Sequence, residues 1–290
     1  MKFKTLVFVV LGIATVATAY AASESGGPAT KGRVLLVASS TDTLRLKEGK
    51  KDPTGFYLDE LAVPARRLIA EGYDVVVATP NGKKPVMDKT SVQISLFDDR
   101  AELDKALHFV ATYPSMQHPI TLKQAAAQSE QFAAVYVPGG HAPMNDLMHD
   151  PDLGRILRQF HEAGKPTAFL CHGPIASLAA LQHSNEYRTA LTDGDNAALK
   201  KYSAGWQYAG YNMTIFSNGE ESIIEKDVLH GHVPFYVADA LKAAGGNITN
   251  GPIWKSYVVR DRELITGQNP QSDKALASEL LKALAERSTG

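Results

Sequence analysis

Four short apolar runs, residues 33–38, 74–78, 133–137 and 167–170, constrain this chain more than any other feature. Each is rich in β-forming residues and each ends in small or turn residues, the pattern of strands buried on both faces of a parallel sheet. Helical patterns separate them. Residues 62–71 close on Gly72 and 152–163 close on Gly164, glycine being the usual residue past a helix end, and 122–128 and 175–181 continue the alternation. Strand following helix in this way predicts an α/β fold, a doubly wound parallel sheet with helices on both faces. Further strands are expected at 212–216 and 256–259, and helices at 234–244 and 272–287. The polar, poorly periodic stretches 98–131 and 183–211 read as insertions that form a small cap beside the sheet.

The chain has 290 residues, enough for one large globular domain. Thirty basic residues against thirty-one acidic give a net charge of -1, so no basic face is left to neutralise phosphates and nucleic-acid binding is not expected. At the start, Lys2 and Lys4 precede an apolar run from Leu6 to Thr18, and Ala19-Tyr20-Ala21 offers a small-x-small cleavage site. That run of about 13 residues falls short of the roughly 20 needed to cross a bilayer. The organisation expected is a signal peptide at 1–21, a flexible leader at 22–31 and one domain at 32–290. The product would be periplasmic or secreted, without stable membrane association after cleavage.

Exported proteins commonly pair their cysteines, yet this chain has a single one, Cys171. It follows an apolar strand and precedes His172, Gly173 and Pro174, with proline at its favoured place in a helical first turn. In open α/β sheets the ligand crevice lies beyond the carboxyl ends of the strands. Cys171 therefore stands on a sharp strand-to-helix corner, mechanically akin to a nucleophile elbow. A helix start favours thiolate over thiol and offers N–H groups to an oxyanion. The turn Pro138-Gly139-Gly140-His141 ends another strand and brings a second, unobstructed backbone to the same place. Cys171 and His172 are thus candidate catalytic residues. Gly139, Gly140, His141 and Gly173 are candidates for oxyanion or substrate binding.

The segments PGGH at 138–141, AFLCHGP at 168–174 and TGFYLDEL at 54–61 together resemble the ThiJ/PfpI superfamily, and within it the heat-shock glyoxalase III branch. The similarity extends to the segments beginning at Gly231 and Val258 and so covers most of the mature chain. The resemblance implies a flavodoxin-like domain, usually a homodimer, whose nucleophilic cysteine is supported by the neighbouring histidine and by a glutamate that matches Glu60. A third member of a Cys-His-acid set would fall in FSNGEE, where Glu221 matches best and Glu220 is its neighbour. Two departures stand out. The metal-binding histidine and glutamate of some bacterial members have no counterpart near Glu60, and GGHG is here GGHA, with Ala142 last.

The resemblance implies a small-molecule carbonyl substrate and chemistry that needs no metal and no cofactor. In a glyoxalase, Cys171 would add to an aldehyde such as methylglyoxal, and Glu60 or His172 would move a proton between the two substrate carbons. Two other functions stay open at this point. One is a hydrolase, an amidase or peptidase, built on Cys171, His172 and Glu221. The other is a holdase chaperone or redox sensor in which Cys171 is oxidised.

Overall fold

A computed structural model describes residues 30–288 of the chain, so the expected signal peptide lies outside the described residues. The strands are β1 (Arg33–Val37), β2 (Thr43–Arg45), β3 (Lys51–Pro53), β4 (Asp74–Thr79), β5 (Ile120–Thr121) and β6 (Phe132–Val137). After them come β7 (Thr167–Leu170), β8 (Asn212–Met213), β9 (Asn247–Ile248), β10 (Val258–Asp261) and β11 (Leu264–Gly267). Seven of these form one sheet in the order β10-β11-β7-β6-β1-β4-β5, all parallel except β10, which runs antiparallel to β11.

All four apolar runs are strands of this sheet, and their side chains fill the core: Val34–Val37, Val75, Val77 and Val135–Val137 are inaccessible to solvent or nearly so. The chain starts at β1, adds β4 on one side and then crosses to β6 on the other. The strand order therefore reverses between β1 and β6, which is where an open sheet of this kind leaves a crevice. The helices Leu58–Ala70 and Asp273–Ser288 pack together in one layer, and Leu122–Ala127 and Pro151–Glu162 pack together in another.

Several expectations need correction. Neither inserted stretch caps the crevice. Residues 98–131 supply the helix Arg100–Thr112, which packs on Leu58–Ala70, and the edge strand β5. Residues 183–211 form the helices Ser184–Asp193 and Asn196–Tyr202, which pack on each other. Their polarity is that of outward helix faces. The expected helix at 175–181 is a 3-10 segment that starts earlier, Gly173–Ala180, and every residue in it is buried. The expected strand at 212–216 is only β8, paired with β9 in a separate sheet, and β11 escaped notice because it is a four-residue run between turns. Among the described residues, no helix is long and apolar enough to cross a membrane.

Candidate active site

The sequence-predicted residues converge at the carboxyl ends of β6 and β7. Cys171 takes a left-handed backbone conformation, φ 59°, which a non-glycine residue adopts only where its surroundings impose it. Those surroundings are two backbone hydrogen bonds: the Cys171 N–H donates to Gly267 O at 2.9 Å and its carbonyl accepts from Phe216 N–H at 2.9 Å. The corner is thus clamped between β11 and the segment that follows β8, and the side chain is 4% exposed.

Glu60 reaches the same point from the first turn of Leu58–Ala70 and is inaccessible to solvent. Its placement follows from Pro64, inside that helix, which has no N–H to give to the Glu60 carbonyl. Tyr136, on β6, donates its hydroxyl to that carbonyl instead and ties the helix start to the sheet. The Glu60 carboxyl accepts from Gly139 N–H at 2.9 Å through Oε2. Oε1 is buried without a hydrogen-bond partner, and the carboxyl lies beside the Cys171 side chain across Gly139. Glycine is required opposite it. A Cβ on Gly139 would fall 2.5 Å from Glu60 Oε2 and 2.6 Å from Cys171 Cβ, and one on Gly140, at φ 84°, would fall 2.0 Å from Gly55 O. Gly173 packs as closely, 2.5 Å from Val137 O for the same virtual atom.

On the other side of the sulfur, His172 Nδ1 lies 3.3 Å from Cys171 Sγ, and its Nε2 lies 2.7 Å from Glu221 Oε2. The second Glu221 oxygen, Oε1, lies 2.8 Å from His141 Nε2. One carboxylate therefore serves two imidazoles, whose rings are 4.1 Å apart. The motif FSNGEE explains how it gets there. Ser217 caps the helix Asn218–Ile224 in a capping box with Glu220, which turns the next residue, Glu221, toward the histidines. Glu220 does not touch them. It is buried and accepts from Ser217 N–H and Oγ–H, Trp254 N–H, Gln268 Nε2 and Asn269 Nδ2, pinning three segments together.

The electrostatics depart from the sequence reading in one respect. A helix start was expected to favour the thiolate, but burial and the neighbouring Glu60 charge push the Cys171 thiol well above its ordinary range, against a contribution from the Gly140 N–H. Burial likewise lifts the Glu60 carboxyl to about 8, with the Cys171 side chain and the Gly139 N–H opposing. In this dry site both acids therefore keep their protons at neutral pH. Glu221 is the charged acid of the site: although burial works against it, His141 and His172 hold it well below the usual carboxylate range. Burial and then His141 lower His172, which stays neutral; with Nε2–H given to Glu221, its Nδ1 is left to accept the thiol proton. Burial also opposes a charge on His141, but the Glu221 carboxylate prevails and raises it.

These side chains open on a cavity of about 120 Å³. Its walls are the β2–β3 hairpin, the Asp88–Gln93 segment, Phe216, the end of the Glu221 helix and Trp254, none of which the sequence reading assigned to the site. Phe216 carried a signal, as the first residue of the motif that bears Glu221, and so did the lining residues Thr54 and Tyr57, inside the segment that bears Glu60. His141, His172 and Glu221 also offer three metal-ligand atoms within 4.8 Å of one another, a set too scattered along the chain to be seen from spacing.

Residues 54–283 match the model of the DJ-1/PfpI family. The chain is 26% identical over 261 residues to protein/nucleic acid deglycase HchA of Pseudomonas aeruginosa, covering 88% of this chain and 81% of that one. It is 29% identical over 264 residues to the HchA deglycase of Escherichia coli, covering 88% and 83%. A crystal structure of glyoxalase III from Candida albicans superposes with a TM-score of 0.65 at 20% identity, covering 87% of this chain and 97% of that one, a likeness of fold.

Proposed function

The chain belongs to the DJ-1/PfpI family, and we propose that it is a cofactor-independent enzyme of the glyoxalase III type, a lyase that turns methylglyoxal or a related reactive aldehyde into an α-hydroxy acid. The observation that carries this reading is the arrangement around one sulfur: a proton-holding Glu60 on one side, a neutral His172 backed by ionised Glu221 on the other, and a small cavity in front. Proton transfer between adjacent substrate carbons needs a carboxyl that can both give and take near neutral pH, which a hydrolytic triad does not require.

The reaction begins when the Cys171 proton passes to His172 Nδ1 and the sulfur attacks the aldehyde carbon. A C–S bond forms and the carbonyl electron pair goes to oxygen, whose charge backbone N–H groups near Gly140 and His172 would stabilise. That proton goes on to the oxyanion, and the freed base then takes the hydrogen of that carbon as a proton and returns it to the neighbouring carbonyl carbon through an enediol. The product is a thioester. Water, activated by His172, cleaves the C–S bond and the thiol regains its proton, so methylglyoxal plus water gives lactate. Glu221 holds the imidazole in position and offsets the charge it gains.

The reading extends to an exported homodimer, which size-exclusion chromatography of the mature chain tests. The chemistry is tested by lactate formation from methylglyoxal. Wild type is expected to produce it, Cys171→Ala to produce none and Glu60→Gln to fall at least about 100-fold. Turnover of amides or peptides without lactate would contradict the reading.

A further inference from the structure

The wall of the cavity away from Cys171 is apolar and aromatic. Phe216 stacks on His172 with ring centroids 4.5 Å apart and lies 5.7 Å from Trp254. Ile224, Val228 and Leu229 extend this surface along the segment that follows Glu221, and Leu44 of β2 faces the same space. The aromatic wall is set before any ligand arrives. The backbone of Trp254 is held at φ 55° and its main-chain N–H donates to Glu220 Oε1 at 2.9 Å, while Asn269 Nδ2 reaches the same oxygen at 2.7 Å. Such fixing lowers the ordering cost of binding.

The charge of the cavity is equally one-sided. No lysine or arginine lines it, whereas Asp88 does, as does Asp52, whose Oδ1 is ion-paired to Lys50 Nζ at 3.1 Å. Glu221 beneath His141 and His172 adds a carboxylate that the two imidazoles already share. A substrate that brings its own carboxylate or phosphate finds no cation free to pair with it, and desolvating an unpaired charge is costly.

We propose that Trp254 and Phe216 set the substrate class: neutral α-oxoaldehydes whose substituent is aromatic or similarly apolar are preferred over methylglyoxal, and α-oxoaldehydes with an anionic tail are rejected. This rests on the glyoxalase reading, with the reactive aldehyde carbon on Cys171 and the substituent against the aromatic wall. The bonds made and broken are those already described. Phenylglyoxal plus water gives mandelate, the aldehyde carbon being oxidised and the ketone carbon reduced within one molecule.

The experiment compares kcat/KM for phenylglyoxal, methylglyoxal and γ,δ-dioxovalerate, which carries a carboxylate tail, in wild type and Trp254→Ala. Burying a ring in place of a methyl group is expected to favour phenylglyoxal by about tenfold or more, with dioxovalerate below methylglyoxal by about tenfold. In Trp254→Ala the phenylglyoxal to methylglyoxal ratio is expected to fall about tenfold. A second arm needs no turnover: calorimetric binding of α-hydroxyacetophenone against hydroxyacetone to Cys171→Ala protein, with the aromatic ligand expected to bind about tenfold tighter. Equal kcat/KM for all three aldehydes in wild type, or a ring preference that survives Trp254→Ala, overturns the inference while leaving the glyoxalase reading intact. Selective binding of the aromatic ligand without turnover of any aldehyde overturns the reaction and leaves the specificity of the wall standing. Equal binding of the two ligands overturns the specificity.

Discussion

His172 and Glu221 are 49 residues apart in sequence and 2.7 Å apart in space, and this contact decides which nitrogen of the histidine faces the Cys171 sulfur. With Nε2–H committed to the carboxylate, Nδ1 at 3.3 Å from Sγ is the acceptor. Glu221→Gln removes the charge and can present its amide nitrogen to the ring, which favours the other tautomer. We expect kcat to fall by about 100-fold or more with melting temperature little changed. Steady-state kinetics beside thermal unfolding checks it.

Glu220 does the opposite work. Its five donors come from the Ser217 cap, the Trp254 loop and the segment after β11, so Glu220→Ala leaves several buried donors without an acceptor. The expected loss is roughly 3 kcal/mol or more of unfolding free energy, read from the denaturant midpoint. Adjacent glutamates are thereby separated into one that supports chemistry and one that supports structure.

Gly139→Ala is expected to abolish turnover without unfolding the chain. The added methyl meets Glu60 Oε2 and Cys171 Cβ at distances no real Cβ tolerates, so the carboxyl must leave the sulfur. A stability loss of about 1–3 kcal/mol is expected alongside, the cost of an overpacked site. Full activity in this variant would show that Glu60 need not approach Cys171.

Stability is expected to decline as pH rises from about 5 to 8. Burial raises Glu60 to about 8 and Asp273 to about 6, and burial together with the Glu60 charge raises Asp59 well above the usual range. Each of these carboxyls keeps its proton in the folded chain at pH values where the unfolded chain has lost it. The folded state therefore binds more protons, and its advantage is lost as pH climbs through the folded values. Glu221 has the reverse sign, but its contribution is lost only as pH falls below the ordinary carboxylate range and is constant in this window; the lowered His172 opposes the decline below about pH 6.5, and the raised His141 adds to the decline. Thermal melts at pH 5 and pH 8 check the direction, at about 2–4 °C for each kcal/mol.

The sheet was legible because parallel strands buried on both faces are written as unbroken apolar runs, as at 33–38 and 133–137, where periodicity and burial agree. Cys171, His172 and the Gly139-Gly140 turn were legible because strand ends are where such sheets place their ligands. The walls of the cavity were not. Leu44, Trp254 and Val228 come from a hairpin, a loop and a π-helical turn that only tertiary packing brings together, and their apolar side chains look like ordinary core in sequence. The polar insertions misled for a related reason: polarity marks an outward face, and it does not say whether that face belongs to a lid or to a helix packed on the sheet. Cys171 misled in its ionisation because the sequence displays the helix start and hides the depth of burial and the Glu60 carboxyl, which act more strongly.

Burial and mutual repulsion keep Glu60 and Cys171 both protonated at neutral pH, and the chain's single cysteine makes their coupling directly measurable. The measurement is the rate of iodoacetamide alkylation of the folded protein against pH, in wild type and in Glu60→Gln. Wild type is predicted to be labelled at Cys171 only well above the ordinary thiol range, because burial and the Glu60 carboxylate that forms at about pH 8 both oppose the thiolate, and Glu60→Gln to be labelled at lower pH. A sulfur that stays unlabelled until the protein unfolds, or a profile identical in the two proteins, would contradict it.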